Sequence, residues 1–185
     1  MPQDPDIDLL PGLRAGAPEA LSTLMDRHLN RIHGLAWNMT GDRSQAEDIA
    51  QETFLRFWQA APGWKDAGDA TILTWLRRVA TRLCIDEKRR MRPVYTDLVP
   101  EKADPATRAD LEIVRSETAE RVQSAILGLP DRQRAALVLS YYQQLGQKDG
   151  AAVMGIKEKA YESLLSRAKA TLKLNLLPEK ESLRQ

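Results

Sequence analysis

The stretch "TWLRRVATRLCIDEKRR", residues 74–90, decides the fold of the N-terminal half. Its apolar residues recur at helical spacing, which predicts an amphipathic helix with one face in a core. Those residues are Trp75, Leu76, Val79, Ala80 and Leu83, with Ile72 just upstream. The other face is basic, because Arg77 to Arg92 contains seven basic residues and only two acidic ones. Solubility needs no such local excess, so the basic face indicates a site for a polyanion.

The segments around this helix also have helical periodicity. A helix that begins near Pro18 has an apolar stripe, which Gly41 and Asp42 interrupt: Leu21, Leu24, Met25, Leu29, Ile32, Leu35, Ala36 and Met39. Ser44 with Glu47 forms a capping-box pattern for the next helix. That helix is expected to bury Ala46, Ile49, Ala50, Phe54, Phe57 and Trp58. Further helices are predicted from residue 111, from Asp131 to a stop at Gly146, over about 147–154 and over about 157–173. Since no strand pattern occurs, the sequence predicts an all-α fold.

Proline separates the helices into two groups. Pro93 ends the basic helix, because the residue before a proline avoids helical geometry. Residues 93–110 contain three prolines and no apolar periodicity, as expected of a flexible linker. We therefore predict two small helical domains, residues 1–92 and 111–185, joined by the linker 93–110.

Composition excludes several functional classes. The chain has 185 residues, a net charge of +1 and no apolar run long enough for membrane insertion. The single Cys84 cannot form an internal disulfide, which favours a reducing, cytoplasmic location. Cys84, His28 and His33 make a poor metal site, so we expect no metal. No nucleophile–base pair or glycine-rich phosphate loop is present, so neither an enzyme nor a cofactor is expected.

One face of the helix after Gly41 is acidic but includes a leucine. Positions 48, 52, 55 and 59 follow each other at steps of four, three and four, so they share a face. On physical grounds alone the stripe is better explained as a solvated face, and the alternative is a protein-docking surface with an acidic rim. The candidate docking residues are Asp48, Gln51, Glu52, Leu55 and Gln59.

The C-terminal helix pair has the spacing of a helix-turn-helix, with Gly155 in the turn. A DNA-reading unit and a simple helical hairpin both fit this spacing. Trp64, just before the basic helix, also has two interpretations. Its indole could stack on an unpaired base, or it could close the edge of the core.

Three motifs occur in order along the chain: "SQAEDIAQETFLRFW", "TWLRRVATRLCIDEKRR" and "LPDRQRAALVLSYYQQLGQKDGAAVMGIKEKAYESLLSRAKATL". Together they closely resemble the extracytoplasmic-function (group IV) σ factors of bacterial RNA polymerase. The resemblance implies an alternative σ factor that binds core RNA polymerase and directs promoter-specific initiation. It also implies control by an anti-σ factor, which we expect to wedge between the two domains. The alternative is a σ-mimic module that sequesters an anti-σ factor.

The resemblance implies a role for each motif. The acidic helix would dock on the β′ clamp helices, and the helix-turn-helix would contact the β flap and the promoter −35 element. The −35-binding residues would be Lys157, Lys159, Glu162, Ser163, Ser166, Arg167 and Lys169. The basic helix would read the −10 element, and the loop before it would capture a flipped base. The −10-binding residues would be Trp64, Arg77, Arg78, Thr81, Arg82, Asp86, Lys88, Arg89 and Arg90.

Three positions depart from the family pattern. Glu162 stands where a cation is common and Leu164 where arginine is common, which predicts altered −35 preference or weak DNA binding. Gly150 replaces a bulky apolar residue inside a helix, at a cost of about 1 kcal/mol relative to alanine. The first helix of the pair is therefore expected to be less stable than usual.

Overall fold

A computed structural model describes residues 4–64, 71–90 and 110–176, with side chains described over 4–64, 71–86 and 119–176. Within these ranges the chain forms helices and no strand, which confirms the all-α prediction. The helices are α1 (Leu10–Arg14), α2 (Pro18–Thr40), α3 (Arg43–Ala60), α4 (Ile72–Arg90), α5 (Asp110–Leu127), α6 (Asp131–Tyr141), α7 (Gln147–Met154) and α8 (Glu158–Leu176). Two 3-10 turns, Ile7–Leu9 and Ala61–Gly63, precede α1 and follow α3. Most of the linker prediction, residues 93–109, lies outside the described residues.

Helices α2, α3 and α4 pack together as the N-terminal bundle. Helix α2 ends at Gly41, whose φ of 72° is left-handed and therefore suits glycine. The cap of α3 is Asp42, whose carboxylate accepts from the Gln45 amide at 2.9 Å. The capping box predicted at Ser44 is therefore wrong, because the residue that caps α3 is Asp42, two residues before Ser44. The buried apolar face expected for α3 is confirmed at Ala46, Ile49, Ala50, Phe54 and Phe57, whereas Trp58 is only half-buried against the core.

Helices α6, α7 and α8 form the C-terminal unit, with α8 packed on both of its neighbours. Helix α6 ends at Tyr141, earlier than predicted, and Gly146 instead precedes the first residue of α7. Gly155 separates α7 from α8 with a φ of 64°. The helix-turn-helix spacing is thus present in three dimensions.

The presence of glycine at position 150 has a steric reason. A Cβ placed on Gly150 would lie 2.3 Å from Cζ of Tyr161, far inside van der Waals contact. The Tyr161 side chain is 0% exposed, and its hydroxyl donates to the Ala136 carbonyl at 2.9 Å. The glycine therefore makes room for a buried aromatic ring from the next helix, which supplies packing that the sequence alone did not indicate.

The two halves share one continuous core. Arg134 of α6 is buried, and its guanidinium donates to the Met39 carbonyl of α2 at 2.8 Å. The same group also donates to the carbonyls of Ile126, Leu127 and Leu129 at the end of α5. Burial lowers the pKa of Arg134. The four carbonyl oxygens nonetheless hold the guanidinium in place by accepting its hydrogen bonds. Arg134 thus joins the C-terminal unit to the end of α2.

Candidate nucleic-acid and polymerase interface

The candidate docking stripe lies on the outer surface of α3. Leu55 is 49% exposed, and Asp48, Gln51 and Gln59 are exposed beside it. Glu52 accepts from Arg56 Nε at 2.7 Å within the same helix, and both side chains are about half exposed. Such an ion pair contributes little to stability, so a partner can displace it at small cost. The structure therefore brings the five residues together on one accessible face.

The basic face of α4 is not open to solvent along its whole length. Arg77 is 9% exposed, and its Nε donates to Oε1 of Gln143, in the loop after α6, at 3.1 Å. Arg78 is half-buried, and its Nη2 donates to the Ala152 carbonyl of α7 at 2.7 Å. Burial, followed by repulsion from Arg31, lowers the pKa of Arg77. The C-terminal unit therefore covers the first turns of this face.

Other residues of the candidate −10 set have different surroundings. Thr81 is 2% exposed, whereas Arg82 and Asp86 are exposed. A Cβ on Gly155 would lie 4.0 Å from Nη2 of Arg82, so this arginine reaches the turn between α7 and α8. The side chains of Lys88, Arg89 and Arg90 lie outside the described residues.

Trp64 closes the edge of the N-terminal core. Its ring makes edge-on contacts with Phe57 and Trp75, with centroid distances of 5.4 Å and 6.3 Å. The side chain is half-buried, so the structure places it in the core rather than as an open stacking platform. This arrangement matches the interpretation in which Trp64 closes the edge of the core, and a contact between Trp64 and a base stays a prediction.

The candidate −35 set lies on the outer face of the C-terminal unit. Lys157 precedes α8, and all seven side chains of the set are exposed. Leu164, the second residue of α8 that departs from the family pattern, is half-buried and packs against the core. Leu164 is therefore directed away from the exposed face, and Glu162 is the departure that changes the charge of that face.

Gln143 is the interface residue that sequence reasoning missed. Its Nε2 donates to the Arg31 carbonyl of α2 at 3.0 Å while its Oε1 accepts from Arg77 of α4. The next residue, Gln144, has a φ of 54°, a left-handed conformation that is uncommon outside glycine. A glutamine in a short loop carries no sequence signal for a partner more than sixty positions away.

Family comparisons identify both halves of the chain. The Sigma-70 region 2 family matches residues 24–93, and the Sigma-70 region 4 family matches residues 119–172. SigM of Mycobacterium tuberculosis, an ECF RNA polymerase sigma factor, is 31% identical over 90% of this chain and 82% of its own length. The chain belongs to the ECF RNA polymerase sigma factors. Helices α3 and α4 therefore lie in σ region 2, and α6, α7 and most of α8 lie in σ region 4.

Other relatives of this ECF sigma factor differ in length. SigE of Mycolicibacterium smegmatis is 30% identical over 81% of this chain, which spans 59% of SigE. The chain spans 43% of RfaY of Xanthomonas campestris, described as a probable RNA polymerase sigma factor. These two relatives are thus considerably longer than the segment they share with this chain.

Solved structures agree on the fold of this sigma factor. CnrH, solved in complex with the cytosolic domain of CnrY, has a TM-score of 0.68 at 25% identity and covers 91% of this chain and 95% of CnrH. RpoE of Bartonella quintana, solved with the anti-sigma factor NepR, has a TM-score of 0.63 at 19% identity and covers 84% of this chain and 95% of RpoE. The RpoE match supports the fold alone.

In the part of the chain that the structure describes, no helix is both long and apolar enough to cross a bilayer. Among the same residues, no three His, Cys, Asp or Glu side chains are grouped so that they could hold a metal ion. Sigma factors regulate transcription rather than catalyse a reaction, and the surfaces of interest here are accordingly binding faces.

Proposed function

We propose that this ECF sigma factor binds core RNA polymerase in the cytoplasm and directs promoter-specific initiation of transcription. The observation that carries the proposal is the presence of σ regions 2 and 4 in one chain, in that order, each with an exposed charged face of its own. Region 2 supplies the polymerase-docking and −10-reading faces, and region 4 supplies the −35-reading face.

The α3 stripe is the proposed contact with the β′ clamp helices. Leu55 offers an exposed apolar side chain at the centre of the stripe, and Asp48 and Glu52 surround it with negative charge. An apolar centre with a polar rim is the usual composition of a protein interface. The amides of Gln51 and Gln59 can donate and accept hydrogen bonds at that rim.

The α4 face is the proposed −10 reader, and it must be uncovered before it reads DNA. Arg77 is buried and donates to Gln143, and the half-buried Arg78 donates to the Ala152 carbonyl, so both side chains are engaged by the C-terminal unit in this arrangement. We infer that promoter binding requires α4 and α7 to separate. The proposed linker can span some 60 Å at ~3.3–3.6 Å per residue, which allows the two regions to occupy separate promoter elements.

The α8 face is the proposed −35 reader, with an additional contact between this domain and the β flap. Lys157, Lys159 and Arg167 supply exposed positive charge for the phosphate backbone. Glu162 repels phosphate but can accept a hydrogen bond from cytosine N4. We therefore propose that Glu162 contributes to −35 preference rather than to overall affinity.

An anti-σ factor is the proposed inhibitor. CnrH, to which this chain is similar, was solved in complex with the cytosolic domain of CnrY, and this supports a protein regulator that binds the chain. An inhibitor that wedges between the two regions would have to break the Arg78–Ala152 and Arg77–Gln143 hydrogen bonds. The regulator and the polymerase should compete for the chain, which a displacement assay with core polymerase would measure.

Run-off transcription tests the proposed function directly. Purified chain would be added to core polymerase on genomic fragments, and transcripts would be mapped to obtain the promoter sequence. Specific start sites that depend on the chain are expected. Arg82→Ala should change base preference at the −10 element, because Arg82 is exposed on α4. A chain that binds an anti-σ factor but never supports transcription would instead be a sequestering mimic.

A further inference from the structure

The first turn of α4 is capped by a residue far away in the sequence. The Asp4 carboxylate accepts from the Ile72 backbone amide at 2.7 Å, although the two residues are 68 positions apart. The local cap, Thr71, accepts from the Thr74 amide at 3.1 Å, so Asp4 satisfies a different amide of the same turn. A carboxylate at a helix N-terminus is also favoured by the helix dipole.

The backbone of Trp64, the residue just before 65–70, is held by the same N-terminal segment. Arg14 Nη2, at the end of α1, donates to the Trp64 carbonyl at 2.7 Å. Trp64 and Ile72 flank the stretch that joins α3 and its following turn to the basic helix. The backbone is therefore held on both sides of this stretch, at Trp64 and at Ile72, by residues 4–14.

The N-terminal segment is itself firmly attached to the bundle. Asp6 is fully buried, and its two carboxylate oxygens contact Arg27 Nη1 at 3.1 Å and His28 Nε2 at 2.6 Å. Leu10 and Leu13 of α1 are buried in the core. Hydrogen bonds to Asp8 and then Asp6 raise the pKa of Arg27 and keep it charged. These contacts fix Asp4 and Arg14 relative to α2. The hydrogen bonds that Asp4 and Arg14 donate or accept can therefore set the positions of Ile72 and Trp64.

This segment lies outside both family matches, since the region 2 match begins at residue 24. We propose that residues Asp4–Arg14 form a positioning clamp, in which Asp4 fixes Ile72, the first residue of α4, and Arg14 fixes the backbone of Trp64. The clamp thereby sets the position of α4 and, with it, discrimination at the −10 element. The inference rests on the proposed function of α4. Neither residue is proposed to touch DNA; both would act through the backbone that they hold.

The clamp is tested with full-length variants in promoter assays with core polymerase. Asp4→Ala removes the carboxylate that accepts from the Ile72 and Asp6 amides, Arg14→Ala removes the donor to the Trp64 carbonyl, Arg14→Lys keeps a donor, and Ile7→Ala, at an exposed residue of the same segment, is the matched control. The readout is the ratio of transcripts from an intact promoter to those from promoters changed in the −10 or in the −35 element. We expect the −10 ratio to fall about fivefold, the factor corresponding to loss of one helix cap. The −35 ratio should stay within about twofold, and Arg14→Lys should recover part of the −10 ratio.

Amide hydrogen exchange separates positioning from general destabilisation. The Ile72 amide should exchange about tenfold faster in Asp4→Ala than in the wild type, and Ile7→Ala should leave it unchanged. Unchanged exchange at Ile72, or faster exchange with an unaltered −10 ratio, would overturn the clamp. Loss of both ratios together would indicate misfolding and would also count against it. Absence of promoter-specific transcription with the wild-type chain would instead refute the proposed function.

Discussion

Gly150→Ala tests the packing of the helix-turn-helix most sharply, because its effect should be opposite to that of an ordinary glycine replacement. In a helix interior, alanine is favoured over glycine by about 1 kcal/mol. At Gly150 the new Cβ would lie 2.3–2.7 Å from three atoms of the Tyr161 side chain, where contacts of about 3.5 Å are normal. The ring must therefore move by about 1 Å.

Any movement of the Tyr161 ring costs packing or hydrogen-bond energy. Overpacking of a full core costs about 1–3 kcal/mol, and breaking the hydrogen bond to Ala136 costs about 1 kcal/mol more. After the gain in helix propensity, Gly150→Ala should lower the free energy of unfolding by about 1–3 kcal/mol. For a chain of this length, that corresponds to a fall in Tm of about 3–10 °C.

Urea and thermal unfolding followed by far-UV circular dichroism would measure the effect, with Gly34→Ala as the matched control. A Cβ on Gly34, inside α2, meets no atom within 4 Å, so this variant should be stabilised. In a Tyr161→Leu background, Gly150→Ala should no longer destabilise, which a double-mutant cycle would reveal as coupling. If Gly150→Ala stabilises the wild-type chain as Gly34→Ala does, the Tyr161 packing described here is refuted.

Three further outcomes are expected. The double charge reversal Asp48→Lys and Glu52→Lys should weaken binding to core polymerase at least tenfold while the circular dichroism melt stays unchanged; wild-type affinity in the double variant would remove α3 as the docking face. Replacing Arg89 and Arg90 by alanine should reduce the slope of log K against log salt for promoter binding by about two, and an unaltered slope would exclude phosphate contacts by these residues. Burial raises the pKa of Tyr161 to about 12, so the unfolded chain loses this proton first and stability should fall by ~2–3 kcal/mol as pH rises from about 10 to 12. Tyr161→Phe should lack that component of the alkaline loss, and an identical pH profile in the two proteins would contradict the burial of the phenol.

Local patterns predicted the helices and their exposed faces well. The periodicity of α2, α3 and α4 placed Leu24, Phe54 and Leu76 in the core, where the structure has them. The steps of four and three predicted that Asp48 and Leu55 share one face of α3, which they do. These predictions succeed because a helical face is determined by residues three and four positions apart.

Contacts between distant segments were not predictable in this way. Arg134 lies among polar residues in the sequence, yet it is buried against the Met39 carbonyl. Gln143 and Asp4 contact backbone or side-chain atoms more than sixty positions away. Gly150 looked like a defect because its compensating residue, Tyr161, belongs to the next helix. Tertiary packing determines each of these roles, and no periodicity encodes it.

The central claim is that the basic face of α4 contacts either the C-terminal unit or promoter DNA. A measurement of whether α4 and α7 separate tests this claim most directly. Fluorophores on Ser22→Cys and Ala170→Cys, both exposed positions, would report the distance between the halves in a Cys84→Ser background. The free chain should show one narrow distance distribution. Addition of core polymerase and promoter should shift it to a longer distance, and Gln143→Ala should broaden the free distribution. A distribution that persists unchanged in the transcribing promoter complex would contradict the account.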